Sequence, residues 1–149
     1  MMFSFPPPDK PWSTNKDRTL NQYERAALIS TWKGVAQVMY GGWCAKNAHT
    51  RALPPSLVRV HIPFTVNRRR DPHNYCGSVV KAIIDGMVNA GAWPDDTPNY
   101  VEHLSPVLYK GDEVKVELFP MRPMRLPCEH GNYDQCGWCT QGWTEIAWT

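Results

Sequence analysis

The chain has 149 residues, with 16 Lys and Arg against 14 Asp and Glu, so it is one domain in length and close to neutral at +2. With 42% hydrophobic and 20% charged residues it is neither a disordered acidic tail nor a fibre, and at this length folding buries roughly 68–70% of the unfolded surface, enough for a core without staples. Fourteen prolines and ten glycines exclude a long uninterrupted helical bundle, no apolar run reaches the ~18–20 residues that span a bilayer, and the Phe/Pro-rich stretch 1–10 lacks the flank and core of a signal peptide, so a soluble cytoplasmic protein is expected.

Taken in order, Phe3 to Phe5 read as a short edge strand, and 6–15 as a loop because its prolines remove the donors a regular element needs. A helix follows. Leu20, Leu28, Trp32, Val35 and Met39 recur near helical spacing, and Gly41-Gly42 are expected to stop it. From Leu57 to Phe64 the period changes to two, with Val58, Val60, Ile62 and Phe64 facing a core and Arg59 and His61 the other side. Pro63 marks an unpaired edge or a bulge in that strand. A second helix is expected from Ser78 to Ala90, closed by Gly91, with Val80, Ile83, Ile84, Met87 and Val88 on its apolar face. Lys81, Asp85 and Asn89 share its opposite stripe.

After the turn-rich stretch 93–98 come two strand-like runs, Tyr100 to Tyr109, interrupted by Pro106, and Glu113 to Phe119, with Val114, Val116 and Leu118 inward. Lys110-Gly111-Asp112 reads as the hairpin loop joining them. The order β-α-β-α-β-β gives the fold class α/β (α+β): a small mixed β-sheet of about four strands with two packed helices. Beyond Pro120 the composition shifts to Pro, Cys, Gly and Trp without periodicity, so a domain over 1–125 and an irregular tail over 126–149 are expected. His61 and His103 read as solvent-facing or core-satisfied, and Trp32 and Trp93 as core.

The chemistry concentrates between 68 and 96. Arg68, Arg69 and Arg70 run into Asp71, His73 and Asn74, and Asp95 and Asp96 follow the second helix in a tight turn. One reading is a solvated, ion-paired turn. The other is a phosphodiester site, since Mg²⁺ typically takes one or two carboxylates and leaves its other positions to water and substrate phosphate. Arginines would hold the phosphates there, and a metal would activate water for in-line attack. The carboxylates lie on two loops flanking one helix, so they converge only if that helix returns the chain to the same sheet edge.

These residues resemble a known family. Arg68-Arg69-Arg70-Asp71-Pro72-His73-Asn74, then Lys81-Ala82-Ile83-Ile84-Asp85-Gly86 and Asn89-Ala90-Gly91-Ala92-Trp93-Pro94-Asp95-Asp96, are similar to the RusA family of Holliday junction resolvases. In that family an arginine-rich run leads to D-x-D-N, a helix carries K-A-x-x-D, and A-G-x-W-x-D-D follows. The likeness covers roughly 1–120 and is most specific over 68–96. It implies a homodimeric, Mg²⁺-dependent endonuclease that cuts four-way DNA junctions symmetrically. On that resemblance Asp71 and Asp96 are the catalytic and metal-binding aspartates, Asp95 is a weaker metal candidate, and Lys81 contacts phosphate or the transition state. Asp85 is either the family's helix aspartate, a further metal candidate, or only an i,i+4 partner of Lys81. Arg68, Arg69, Arg70, Asn74 and Lys81 would follow the DNA backbone without reading sequence.

Two departures from the family stand out. His73 takes the place of its second acidic residue, and the stretch from Tyr75 to Val80 is longer than its link. An imidazole at that metal site suits Mn²⁺ better than Mg²⁺, the alternative being a hydrogen-bonded loop histidine.

The tail carries a separate signal. Five cysteines, three of them within the last 22 residues, do not form a secreted disulfide framework. Cys128-x-His130-x5-Cys136-x2-Cys139 supplies four ligands of the kind that hold a structural Zn²⁺, unless the tail is simply reduced and its thiols idle. Trp138, Trp143 and Trp148 would pack on the domain or stack on bases. The expected function is a structure-selective endonuclease on branched DNA. A non-catalytic branched or single-stranded DNA-binding protein is the alternative, and a zinc module serving protein contacts comes third. The carboxylates separate the first two, because binding alone gains nothing from acids beside phosphates.

Overall fold

The computed structural model describes residues 1–66 and 68–121 and is organised around the strand with the clearest alternation, β2 (Ser56–Phe64). Val58, Val60 and Ile62 are fully buried, while Arg59 and His61 take the opposite face. Both edges of β2 are paired. Along one, β5 (Val114–Pro120) runs antiparallel with Val58 opposite Leu118 and Val60 opposite Val116, and beyond it β1 (Met2–Phe5) sets Phe3 opposite Val116. Along the other, two short parallel strands share β2: β3 (Val101–His103) against Ser56–Val58 and β4 (Val107–Lys110) against His61–Phe64. The result is a mixed, five-stranded sheet in an α+β fold.

Three sequence expectations are corrected here. Lys110-Gly111-Asp112 is not a hairpin loop, because β4 and β5 lie on opposite edges of β2. The link instead rounds the end of β2, where the Gly111 N–H donates to the Phe64 carbonyl at 3.3 Å. Alternation fixes which face a strand buries but not which strand it pairs with. The run Tyr100 to Tyr109 is interrupted at Pro106 as expected, and forms two strands because Pro106 brings no N–H to the ladder. Pro63 itself is accommodated because pairing with β5 ends at His61, leaving β2 bonded on one edge beyond it.

The second correction concerns the first long helix, and the third the start of the next. After a short turn α1 (Thr14–Asp17), capped by the Ser13 hydroxyl, α2 (Gln22–Lys46) opens with a capping box between Asn21 and Glu24. It runs through Gly41-Gly42 instead of stopping there. Tyr40 and Cys44, four apart and both buried, carry the inner face across the glycines. Their burial outweighs a propensity cost of about 1 kcal/mol per glycine.

The second long helical run is composite. A 3₁₀ turn (Pro72–Tyr75) and a π turn (Cys76–Val80) lead directly into α3 (Lys81–Asn89), so the expected start at Ser78 falls inside the π turn. The stretch from Cys76 to Val80 is therefore wound into wide helix. The run ends as expected at Gly91, whose φ of 95° suits glycine, with the Ala92 N–H reaching back to Met87 at 3.0 Å.

Val79, Val80, Ile83, Ile84 and Met87 join Trp32, Tyr40, Trp93 and the inner strand residues in one core. At Gly86, α3 crosses α2 so closely that a Cβ would meet the Lys33 carbonyl and lie 2.9 Å from the Ala36 methyl. Among the described residues no helix is long and apolar enough to cross a membrane. The zinc candidates Cys128, His130, Cys136 and Cys139, the three tail tryptophans and the expected tail itself lie outside the described residues.

Candidate active site

The loop leaving β2 is fastened by one of its own arginines. The Arg70 guanidinium lies 4.0 Å from the Phe64 ring centre, and its Nη1 donates to the carbonyls of Val66 at 3.0 Å and Arg68 at 3.2 Å. Phe64 meets Tyr75 edge-on from another side at 5.5 Å. Arg70, expected on DNA, thus turns its Nη1 to its own loop, while Arg68 and Arg69 are exposed.

Asp71 caps the 3₁₀ turn, its Oδ1 accepting the His73 backbone N–H at 3.0 Å. Burial, then the nearby Asp71 charge, push the Cys76 thiol above its ordinary range. The His73 side chain is exposed and the Asn74 side chain half-buried. The start of this run is latched to the N-terminal loop: the Thr14 hydroxyl donates to the Asn74 carbonyl at 2.9 Å and the Ser78 hydroxyl to the Trp12 carbonyl at 2.6 Å. Sequence reasoning missed Trp12, Thr14 and Ser78. The Ser13 cap signal was visible, but contacts across some sixty residues leave no local pattern.

Further along, Lys81 stands on the outer face of α3, and its ammonium is hydrogen-bonded to Asp85 one turn on and to Asp96 from the following turn. Two carboxylates that share one ammonium lie within about two hydrogen-bond lengths of each other. Burial alone would lower the Lys81 pKa, but the hydrogen bonds and charges of Asp85 and Asp96 more than offset it and raise it. Asp96 is correspondingly held below the usual carboxylate range, first by the Lys81 hydrogen bond and then by its charge.

Asp96 is brought there by a turn anchored at both ends. On one side the Leu53 N–H donates to the Ala92 carbonyl at 2.8 Å and the Trp93 indole to the Pro54 carbonyl at 3.2 Å. On the other, the Ser56 N–H donates to the Tyr100 carbonyl at 2.9 Å. Within the turn, Asp95 Oδ1 accepts the Thr97 N–H at 2.9 Å, so Asp95 closes the turn and Asp96 faces outward to the lysine.

The helix therefore does return the chain, and it joins Lys81, Asp85 and Asp96. Among the described residues no group of three or more His, Cys, Asp or Glu side chains forms a cluster able to hold a metal. Asp71 precedes, and His73 stands near the start of, the nine residues of helical turn from Pro72 to Val80 that lead to Lys81. The carboxylate pair fits a hard ion in kind, because Mg²⁺ takes one or two carboxylates, but the Lys81 ammonium holds the position between them. No family model matches this chain, and no curated protein matches it.

Proposed function

We propose that the chain is a structure-selective DNA endonuclease that hydrolyses phosphodiesters in branched DNA, four-way junctions among them, as a homodimer using Mg²⁺ or Mn²⁺. The observation that carries this reading is the meeting of Lys81, Asp85 and Asp96 from two chain segments at the outer face of α3. Arg68 and Arg69 are exposed for backbone phosphate, and neutralising each phosphate releases counterions. Lys81 offers positive charge to a phosphoryl oxygen, and a phosphate drawing it away would free Asp85 and Asp96 as oxygen ligands. A divalent ion held there would supply an activated water. Asp71 keeps its Oδ2 without a partner among the described residues, at the point where the arginine loop enters the helical run.

The test is incubation of the purified chain with a synthetic four-way junction, a fork and a linear duplex, with Mg²⁺, Mn²⁺ or EDTA. The expected result is metal-dependent, symmetric cutting of the branched substrates and none of the duplex. Asp96→Asn should abolish cutting while leaving junction affinity equal or higher, because it removes a negative charge near phosphate.

One observation favours a second reading, a non-catalytic protein that binds branched or single-stranded DNA: Lys81 already pairs with both acids it touches. Tight, salt-dependent junction binding with no cleavage by either metal would select it.

A further inference from the structure

The outward side of α2 is not the outside of a helix built to face water. Between Ala26 and Ala45 the only charged residue is Lys33, which is half-buried. Solvent faces of helices are normally charged or polar. Here Tyr23 is 77% and Val38 70% exposed, and Ser30, Thr31, Gly34, Val35, Val38 and Met39 line an open, apolar groove of about 520 Å³. Gly34 and Gly42 add a second anomaly. A Cβ at either would meet nothing within 4 Å, so the chain's own packing does not require them. Each nevertheless costs about 1 kcal/mol of helix propensity against alanine.

We propose that this face docks a second copy of the chain, the two α2 helices lying antiparallel across a two-fold axis at Gly34. Size complementarity supports that register. A two-fold at position 34 sets Val38 over the other copy's Ser30 and Tyr23 over its Ala45, each large side chain against a small one, with the glycines at the closest approach. Charge complementarity fixes the direction. Glu24 lies in the first turn of α2 and Lys46 in its last. At 100° per residue the two flank the same side of the groove, so antiparallel copies place each Glu24 beside the other copy's Lys46 and oppose the helix dipoles. A parallel pair would set like charges together. This surface deepens the proposed function, whose symmetric cuts need two related subunits, but its own evidence is α2 alone.

The experiment contains no DNA, so a dimer that fails to cut counts only against the nuclease, and a monomer counts against this interface. One helix pair buries less than a standard ~1,600 Å² interface, so the dimer is expected to dissociate on dilution. Sedimentation of the full chain from about 1 to about 100 μM should show the mass rising from monomer to dimer. Gly34→Arg fits the isolated protomer and should remain monomeric throughout, with the parent's circular dichroism. Gly34→Cys should form an inter-chain disulfide under mild oxidation faster than the parent, because its two sulfurs meet at the axis. A parent that stays monomeric overturns the proposal, and so does a Gly34→Arg protein that dimerises like the parent. A monomeric parent whose Gly34→Cys thiol resists a maleimide would assign the face to another segment of the same chain, which also overturns it.

Discussion

Lys81 holds the Asp96 carboxyl below the usual carboxylate range, and its removal exposes what the acids around it do. In Lys81→Met, Asp96 loses its hydrogen-bond donor and faces Asp85 unscreened. Its titration, followed by carboxyl ¹³C NMR, should rise from below the usual carboxylate range into or above it. The folded protein should lose less than about 1 kcal/mol, because the three side chains are 26–50% exposed. The pH window follows from the signs. The depressed Asp96 carboxyl contributes stability that is present above its unfolded pKa and is lost as pH falls through the lower folded value. The raised Lys81 contributes stability that is present below its unfolded pKa and is lost as pH rises through the higher folded value. Between about pH 5 and 9 the pair is constant, so urea midpoints of parent and Lys81→Met should differ by a fixed amount across that range. Asp71 offers a separation of fold from chemistry, since asparagine caps a helix as well as aspartate does. Asp71→Asn should keep the parent's melting temperature and lose cleavage. Asp71→Ala should also lose about 1 kcal/mol of stability.

At the scale of elements, the two kinds of glycine in the helices predict opposite outcomes. Gly86→Ala drives a methyl into the Lys33 carbonyl and Ala36, and overpacking of that kind costs about 1–3 kcal/mol. Gly42→Ala has open space and removes backbone entropy from the unfolded chain, so it should stabilise by about 0.5–1 kcal/mol. Urea unfolding of the two variants beside the parent checks both signs. The contrast also shows what was legible in the sequence. The inward faces of β2 and β5, the apolar face of α3 and its Gly91 stop were readable, because each is a local period or a local cap. The length of α2 was not, because Gly41-Gly42 is a stop signal in water, overruled here by Tyr40 and Cys44 in the core. The interruption of 100–109 was marked by Pro106, but the separation of β4 from β5 depends on which edge of β2 was vacant, which no window contains. At the site, Lys81 and Asp85 were pairable by their spacing of four. That Asp96 completes the group while Asp95 closes the turn depends on hydrogen bonds from Trp93, Thr97 and Tyr100.

For the whole molecule, the order of the sheet ties the first strand to the last. Among the described residues β1 has no partner strand but β5, with Met2 opposite Glu117 and the Leu118 N–H donating to the Met1 carbonyl at 2.8 Å. A chain cut after Asp112 loses β5, so β1 and one edge of β2 have nothing to pair with. Such a fragment should lack cooperative thermal unfolding by circular dichroism and be digested by protease at once. The consequence reaches into how the protein is made. Every inter-strand ladder on β2 is closed by residues after position 100, so helices α2 and α3 can form early but the sheet cannot. Pairing at such separations pays its loop-closure entropy before any contact rewards it, and folding is correspondingly slow. Until β5 emerges from the ribosome and docks, the apolar row of Val58, Val60 and Ile62 stands beside an open strand edge. The newly made chain is then most exposed to aggregation, and faster docking of β5 is what shortens that interval.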